Sequence, residues 1–218
     1  MKKEVVIFGV KDTAELAWWY LNNDSPYKVV AFTVHKAYIQ ESTFHGLPVV
    51  PFEELPHHYA PSEYLLFAPM TGVKMNTLRR DVYLQGKAMG YSYISYVSSK
   101  ATVCDNVIGE NCFILEDNTL QPFTTIGNNV VLWSGNHIGH HGQIDDHVFF
   151  TSHVVLSGHC HVKERAWFGV NATIRDFTTI GEGCLIGMGA LVTKSTEDGS
   201  FYLGCPARKQ EKLAIDVY

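Results

Sequence analysis

Several signals that define other classes of protein are absent from this 218-residue sequence. Charged residues make up 18% of it, below the usual share of about 25%, and no basic stripe indicates a nucleic-acid partner. No apolar run approaches the roughly 18 residues that a transmembrane helix needs. The N-terminus, MKKEVVIFGV, lacks the long apolar core and the cleavage site of a signal peptide. The five cysteines contain no CxxC pair, which favours free thiols and a cytoplasmic location.

What the sequence does have is a period of six residues. Every sixth residue from Ile108 to Val192 is apolar, and the residue four places later is mostly small, as at Cys112 and Ala172. This period fits neither a helix nor an alternating strand, and it is typical of the hexapeptide β-helix. Three hexapeptides make one triangular coil, and residues one coil apart stack at about 4.8 Å. Residues 101–194 are therefore predicted to form a left-handed parallel β-helix of roughly five coils.

Residues 1–100 alternate strands with helices, which predicts a small Rossmann-like parallel sheet. The fold class is thus α/β followed by all-β. The predicted strands are Glu4–Gly9, Lys28–Val34, Tyr64–Ala68 and Tyr91–Val97, and the predicted helices are Asp12–Leu21, with a capping box at Asp12 and Glu15, and roughly Lys74–Met89. Phe44–Pro61 is predicted to be a connection with a short helical turn at Glu53–Leu55. Residues 195–218 are predicted to be a tail outside the repeat.

Three segments of the second half match one family: Gly135–Gly142 (GNHIGHHG), Gly169–Thr173 (GVNAT) and Gly204–Arg208 (GCPAR). Together with the Rossmann-like first half, they make the sequence resemble the hexapeptide-repeat sugar acyltransferases. That group includes the sialic acid O-acetyltransferases and the bacillosamine-pathway N-acetyltransferase. The resemblance implies a homotrimer with active sites at subunit interfaces. It also implies acetyl-CoA as cosubstrate and a small-molecule nucleotide sugar, whose nucleotide the N-terminal domain holds.

The resemblance assigns the general base to His140, in the hexapeptide Ile138-Gly-His-His. Many relatives have an acid after this histidine, whereas this chain has His141, which we expect to be a neighbour in the site. Asp145 or Asp146 is an alternative source of the acid. A histidine with a pKa near 7 can remove the proton of the attacking group, and an N–H donor stabilises the oxyanion. The expected cofactor contacts are Phe149, Gly158 (as the oxyanion donor), Val170, Gly187 and Arg208, with Lys209 as a further candidate cation.

The nucleotide end of the site departs from the family's pattern. Relatives have a glycine-rich turn after the first strand, which lets the chain approach the nucleotide closely. This chain reads Gly9-Val-Lys-Asp-Thr-Ala and keeps only the first glycine. Acidic residues that often follow the second strand are replaced by Thr33-Val-His35. The expected substrate-binding residues are Gly9, Lys11, Asp12 and Thr13, and the nucleotide stays open.

The sequence leaves three functions in view. The first is acetylation of the amino group of a nucleotide-linked amino sugar in surface-glycan synthesis. The second is a sugar O-acetyltransferase of the sialic acid type, which shares the same motifs. The third is a noncatalytic or metal-binding β-helix, which we consider because histidine is a common metal ligand and the sequence has eleven histidines.

The spacing of the histidines argues against a metal. His141, His147, His153 and His159 are six apart, and His141 should stack on His159 one coil later. The γ-class carbonic anhydrases, which are also left-handed β-helices, have zinc-binding histidines that include an H-x₄-H pair. No pair here has that spacing, so we expect no metal cofactor.

Overall fold

The computed structural model describes residues 3–218, which divide into two compact units. One unit contains the described residues up to Thr71 together with Asp81–Tyr96. The other contains Gly72–Arg80 and Val97–Tyr218. The predicted fold class is confirmed, because the first unit has a largely parallel sheet and the second is a left-handed parallel β-helix. No helix among residues 3–218 is both long enough and apolar enough to cross a membrane.

The first unit is built on a five-stranded sheet. Its strands are β1 Lys3–Phe8, β2 Tyr27–Val34, β3 Thr43–Phe44, β4 Leu47–Pro51 and β5 Leu65–Phe67, in the spatial order β3-β4-β2-β1-β5. All neighbours are parallel except β3 and β4. The α-helices of the described chain are α1 Asp12–Asn23, α2 Leu55–His58 and α3 Thr77–Ala88. The centre of β1 is buried on both faces, which is why Val5–Phe8 is a continuous apolar run.

The predicted capping box at the start of α1 is wrong. The N-cap is Lys11, whose carbonyl accepts the N–H groups of Ala14 and Glu15, and no side chain caps the helix. Asp12 is instead the first helical residue. Both Asp12 and Glu15 lie in the first turn, where a negative charge interacts favourably with the helix dipole.

Two other predictions for the first unit need correction. The connection at Phe44–Pro61 contains the antiparallel pair β3 and β4, and its helical part is a 3₁₀ turn at Phe52–Glu54 followed by α2. Pro48 is accommodated because β2 pairs with β4 only from Val49 onward. The predicted strand Tyr91–Val97 is mostly irregular: Tyr93 makes an isolated bridge to Leu66, and only β6, Tyr96–Val97, is a strand.

From Phe113 onward, the second unit repeats a two-residue strand every six residues. The strands are β7 Thr102–Val103, β8 Phe113–Ile114, β9 Thr119–Leu120, β10 Thr125–Ile126, β11 Val131–Leu132, β12 His137–Ile138, β13 Gln143–Ile144, β14 Phe149–Phe150, β15 Val155–Leu156, β16 His161–Val162, β17 Trp167–Phe168, β18 Thr173–Ile174, β19 Thr179–Ile180, β20 Leu185–Ile186 and β21 Leu191–Val192. They form three parallel faces in which each strand pairs with the strand one coil later, as in Ile138 to Leu156 to Ile174. The aliphatic residue of each hexapeptide fills the core.

The corners between the faces have a left-handed backbone. Every sixth residue from Asp105 to Gly189 has a φ between 52° and 78°. Glycine adopts this conformation freely, and asparagine, aspartate and histidine adopt it more readily than other residues do. The histidines at 141, 147, 153 and 159 occupy four consecutive corners. The left-handed corner backbone therefore accounts for their spacing of six.

The C-terminal segment is more regular than a tail outside the repeat. A strand at Ser200–Leu203, β22, pairs in parallel with β20 and extends that face. The final strand β23, Arg208–Leu213, pairs antiparallel with β22. Because Leu185 pairs with Phe201 rather than with the residue one full coil later, β22 breaks the register of the coils and the hexapeptide period does not reveal it. The domain boundaries 1–100, 101–194 and 195–218 stay predictions.

Candidate active site

Three histidines come together on one side of the β-helix. The Nδ1 atoms of His140 and His141 are 3.0 Å apart. The rings of His141 and His159 are stacked with centroids 5.0 Å apart, and the ring of His140 meets both of them edge-on at 5.1 Å. All three residues are exposed, and one ring nitrogen from each lies within 4.8 Å of the other two.

The coil spacing explains this cluster. His141 and His159 occupy the same corner in consecutive coils, and the N–H of His159 donates to the carbonyl of His140 at 2.9 Å. The ring of Phe123 lies tilted against His141 with centroids 4.7 Å apart, and Phe177 stacks on His159 at 4.6 Å. The predicted stacking of His141 on His159 is thus present. The two phenylalanines were not among the predicted residues, although they lie one coil before His141 and one coil after His159.

Gly158 lies directly beside the His140 ring. A Cβ atom at Gly158 would be 2.8 Å from Cε1 and 2.9 Å from Nε2 of His140, so any side chain at residue 158 would displace the His140 ring from this position. Among the described residues, no acceptor receives the Gly158 N–H. The equivalent N–H one coil earlier, that of His140, donates to Oε1 of Gln121 at 3.1 Å. The position that corresponds to Gln121 is Gly139, which has no side chain and leaves the Gly158 N–H uncovered.

Neither predicted carboxylate is the partner of His140. Asp145 accepts a hydrogen bond from Nε2 of His161 at 2.9 Å. Asp146 accepts the backbone N–H of Asn128 at 2.7 Å. The group that meets Nδ1 of His140 within this chain is His141 itself. The idea that Asp145 or Asp146 replaces the acid of the relatives is therefore wrong for the single chain.

The predicted cofactor contacts differ in exposure. Val170 is 40% exposed, and Met188, which occupies the same position one coil later, is 74% exposed. Arg208 is exposed and lines an open pocket of about 430 Å³ together with Lys194 and Lys209. These three cations can attract the phosphates of a ligand at the C-terminal end of the β-helix.

Two other predicted cofactor contacts are buried in the chain. Phe149 is stacked on Trp167 with ring centroids 6.1 Å apart, and the guanidinium of Arg79 lies 5.7 Å from the centre of the Phe149 ring. Gly187 is packed against Leu203, and its N–H donates to the carbonyl of Tyr202 at 2.8 Å. Any contact of these residues with a cofactor stays a prediction.

The first unit has a cavity of about 210 Å³ at the carboxyl end of β1. Of the four residues expected to bind substrate, Gly9, Lys11 and Thr13 line this cavity and Asp12 does not. Their binding of a substrate stays a prediction. Gly9 has a φ of 118°, and a Cβ there would be 3.1 Å from that of Ala14, so this turn requires glycine. The other lining residues are Phe8, Val10, Ala14, Val34, Tyr38, Pro69, Met70 and Thr71.

A buried polar network in the second unit was not predicted from the sequence. Arg79 donates to the carbonyl of His147 at 3.0 Å and to Oδ1 of Asn129 at 3.2 Å. Nδ2 of Asn129 lies 2.8 Å from Nδ1 of His147. Burial, reinforced by the Arg79 cation, lowers the pKa of His147 to about 4. His147 is therefore a neutral structural residue at physiological pH.

Comparison with known families and curated proteins agrees with the repeat. Residues 107–140 and 159–194 match the bacterial transferase hexapeptide family (six repeats). An acyl-[acyl-carrier-protein]–UDP-N-acetylglucosamine O-acyltransferase from Sinorhizobium fredii is 32% identical over 88 residues, which are 37% of this chain and 33% of that protein. The corresponding protein of Pseudomonas savastanoi is 30% identical over 108 residues, 46% of this chain and 42% of that protein. The match thus spans a third to about two fifths of the length of these relatives.

Solved structures match almost the whole chain. A histidine-to-asparagine variant of perosamine N-acetyltransferase from Caulobacter crescentus, in complex with CoA and GDP-perosamine, gives a TM-score of 0.87 at 22% identity over 96% of this chain and 97% of that one. The acetyltransferase domain of PglB from Neisseria gonorrhoeae, in complex with acetyl coenzyme A, gives 0.85 at 20% identity over 96% and 100%. The chain therefore contains bacterial transferase hexapeptide repeats and has the fold of these two acetyltransferases, which confirms the resemblance at the level of the fold.

Proposed function

We propose that the protein transfers an acetyl group from acetyl-CoA to the amino group of a nucleotide-linked amino sugar in surface-glycan synthesis. The observation that carries this proposal is the contact of the His140 imidazole with Gly158, whose N–H has no acceptor among the described residues. Acyl transfer from a thioester requires a base for the nucleophile and a donor for the oxyanion. Here a candidate for each lies side by side.

In the proposed reaction, the neutral sugar amine attacks the thioester carbonyl carbon. A C–N bond forms, the carbonyl oxygen becomes an oxyanion, and the Gly158 N–H stabilises it. His140 accepts the proton that the amine loses. Collapse of the oxyanion breaks the C–S bond, and the CoA thiolate takes up the proton that His140 accepted, so that CoA leaves as the thiol and His140 is neutral again. The products are the N-acetylated sugar and CoA.

His141 has a positioning role in this proposal. Nδ1 of His140 lies 3.0 Å from Nδ1 of His141, and one of the two nitrogens donates to the other. When Nδ1 of His140 carries the proton, the lone pair is on Nε2, which would lie 2.9 Å from a Cβ at Gly158. In this tautomer, Nε2 is the nitrogen that can accept the proton of the amine. His141 would therefore hold the tautomer of His140, a role that the acid has in many relatives.

The two ligands have separate candidate subsites. The cavity at Gly9, Lys11 and Thr13 is proposed for the nucleotide, without Asp12. The cationic pocket at Arg208 is proposed for phosphates of acetyl-CoA. Support comes from the perosamine N-acetyltransferase structure, which contains CoA and GDP-perosamine, and from PglB with acetyl coenzyme A.

The proposal includes a cytoplasmic homotrimer with active sites between neighbouring β-helices. Exposed apolar side chains on the β-helix support an interface or a ligand surface there. Phe123 is 73% exposed, Phe177 71% and Met188 74%. In a monomer these large apolar side chains would contact water.

O-acetylation is the second candidate, because the curated relatives are O-acyltransferases. The test offers acetyl-CoA with a panel of UDP-, dTDP- and GDP-linked 4-amino sugars and with the matching hydroxyl sugars, and follows free thiol. We expect turnover on an amino sugar and none on its hydroxyl counterpart. Turnover on hydroxyl sugars alone would establish the O-acetyl alternative. No thiol release on any acceptor, from correctly folded protein, would overturn the enzymatic proposal.

A further inference from the structure

We propose that His140, His141 and His159 bind a divalent transition-metal ion of the zinc type, and that the bound ion switches off His140 as a base. The metal site stands on the geometry of the three side chains alone. Only its effect on turnover rests on the proposed function. The site differs from the interface site of the γ-class carbonic anhydrases because a single chain supplies every ligand.

Two of the three ligand nitrogens are already close to the spacing that a shared ion requires. In a tetrahedral site with Zn–N bonds of about 2.0–2.1 Å, neighbouring ligand nitrogens are about 3.4 Å apart. Here the Nδ1 atoms of His140 and His141 are 3.0 Å apart, and one ring nitrogen from each of the three histidines lies within 4.8 Å of the other two. The rings of His141 and His159 are stacked, so they must tilt toward each other before their lone pairs meet at one ion. The exposure of all three side chains leaves room for this rotation, and water completes the fourth position.

The backbone beneath the cluster is fixed by the β-helix. The N–H of His141 donates to the carbonyl of Pro122 at 3.2 Å, and the N–H of His159 donates to the carbonyl of His140 at 2.9 Å. Both residues have the left-handed φ of the corners. Metal binding therefore has to order only side-chain torsions, which lowers its entropic cost.

The donor set selects the kind of ion. Imidazole nitrogen suits zinc, copper and nickel, whereas magnesium and calcium prefer oxygen. No thiolate belongs to the cluster, and the histidine–carboxylate pairs found among residues 3–218 involve other histidines, His35, His45 and His161. The three rings are therefore not held by a competing carboxylate.

A metal was not expected from the sequence because no H-x₄-H pair is present. That criterion assumes one particular arrangement. In a β-helix, residues one coil apart are neighbours, so an adjacent pair and a third histidine one coil after its second member can converge. His140, His141 and His159 have that spacing.

The effect on His140 follows from the chemistry of imidazole. A neutral ring has one N–H and one lone pair. When a metal occupies the lone pair of Nδ1, the ring proton is on Nε2, which then has no lone pair to accept a proton from the substrate. Micromolar metal is therefore expected to inhibit turnover, and a chelator is expected to restore it.

The binding test uses the full chain without a histidine tag, stripped of metal and titrated with Co²⁺ as a spectroscopic probe. We expect one ion per chain, visible-region absorption typical of tetrahedral Co²⁺, and displacement by Zn²⁺. Loss of a second-shell group costs 10- to 100-fold in affinity, so loss of a ligand in His159→Asn should weaken binding by at least about tenfold. The matched control is His153→Asn, at another exposed corner with a φ of 60° against 57° for His159.

Several results would overturn the site: no saturable Co²⁺ binding, unchanged binding in His159→Asn, or equal loss of affinity in both variants. Turnover that stays constant while Zn²⁺ fills the site would overturn the inhibitory role. Failure of the proposed function looks different, because the chain would bind Co²⁺ but release no thiol with any acceptor. A chain that turns over without binding metal would overturn the metal site alone.

Discussion

At the scale of single residues, two glycines shape the proposed active site by what they leave open. Gly158 leaves space for the ring of His140, and Gly139 leaves the N–H of Gly158 without an acceptor among the described residues. One coil earlier, the side chain of Gln121 occupies the N–H of His140. The same backbone thus carries a satisfied N–H in one coil and a free one in the next.

Substituting Gly139 tests the role of this free N–H. A Cβ at residue 139 would lie 2.5 Å from the Gly158 nitrogen, so Gly139→Ala should displace the donor and lower kcat by about 10²-fold, the usual effect of losing one oxyanion donor. The matched control is Gly127→Ala, whose Cβ would lie 2.8 Å from the backbone of Asp145. Both variants should be less stable, but only Gly139→Ala should lose kcat per folded chain. An equal loss in both would contradict the role of Gly158.

His147 predicts how stability depends on pH. Burial lowers the pKa of His147 in the folded chain to about 4, from an ordinary value of 6.5. As the pH falls, His147 is therefore protonated in the unfolded chain before it is protonated in the folded chain. Stability should decrease from about pH 6.5 to pH 4, by on the order of 2–3 kcal/mol, and should be unaffected by this group above that range. Urea unfolding at several pH values measures this.

His147→Asn is the variant that isolates the effect, since asparagine tolerates the corner conformation. The slope of the unfolding free energy between pH 4 and pH 6.5 should become smaller in this variant. His153→Asn, which changes an exposed corner, should keep the wild-type slope. Equal slopes in all three proteins would show that His147 is not the titrating group.

At the scale of elements, the corner residues of the β-helix have two different structural roles. Some corners, such as Asn171, are exposed and need only a residue that tolerates a left-handed backbone. Others are buried: Asn129 accepts from Arg79 and lies against His147. Arg79 is buried without a carboxylate in this network, so its polar partners are what compensate its desolvation.

The stability costs of replacing one buried and one exposed corner asparagine distinguish these two roles. Asn171→Ala should cost about 1 kcal/mol, the penalty for alanine in the left-handed conformation. Asn129→Ala should cost about 2–4 kcal/mol, because it adds the loss of hydrogen bonds to a buried cation. Urea unfolding at a fixed chain concentration compares the two. Equal costs would contradict the stabilising role of the Arg79 network.

The β-helix was predictable because its period of six is local and repeats over fifteen hexapeptides. The strands β3 and β4 were not predicted from the sequence. Pro48 and Pro51 make this segment look like a connection, and β4 is held in the sheet by its pairing with the distant strand β2. His140 and Gly158 were assigned through the resemblance, and the stacking of His159 on His141 followed from the coil period of 18 residues. The ring contacts of Phe123 and Phe177 depend on contacts between neighbouring coils, which a single motif does not report.

At the scale of the whole molecule, the exposed apolar side chains of the β-helix bear on assembly. Val170 and Met188 occupy equivalent positions in consecutive coils, and Phe123 and Phe177 flank the His141 and His159 rings. Exposed large apolar side chains that recur in this way favour an interaction or ligand site. We expect it to be covered in a homotrimer.

Light scattering tests the assembly. The trimer predicts the mass of three chains of 24.4 kDa. Met188→Lys and Phe177→Lys should shift the mass toward that of one chain, whereas Tyr38→Lys, which changes an exposed residue of the first unit, should not. A monomeric wild type at micromolar concentration would contradict the homotrimer.

The central claim is that His140 removes a proton during acetyl transfer. The most direct measurement compares CoA thiol release from acetyl-CoA in the wild type, His140→Asn and His153→Asn with the best amino-sugar acceptor. A general base contributes about 10²–10⁴-fold, so His140→Asn should lose kcat by that factor while His153→Asn keeps the wild-type rate. An unchanged kcat in His140→Asn would contradict the account.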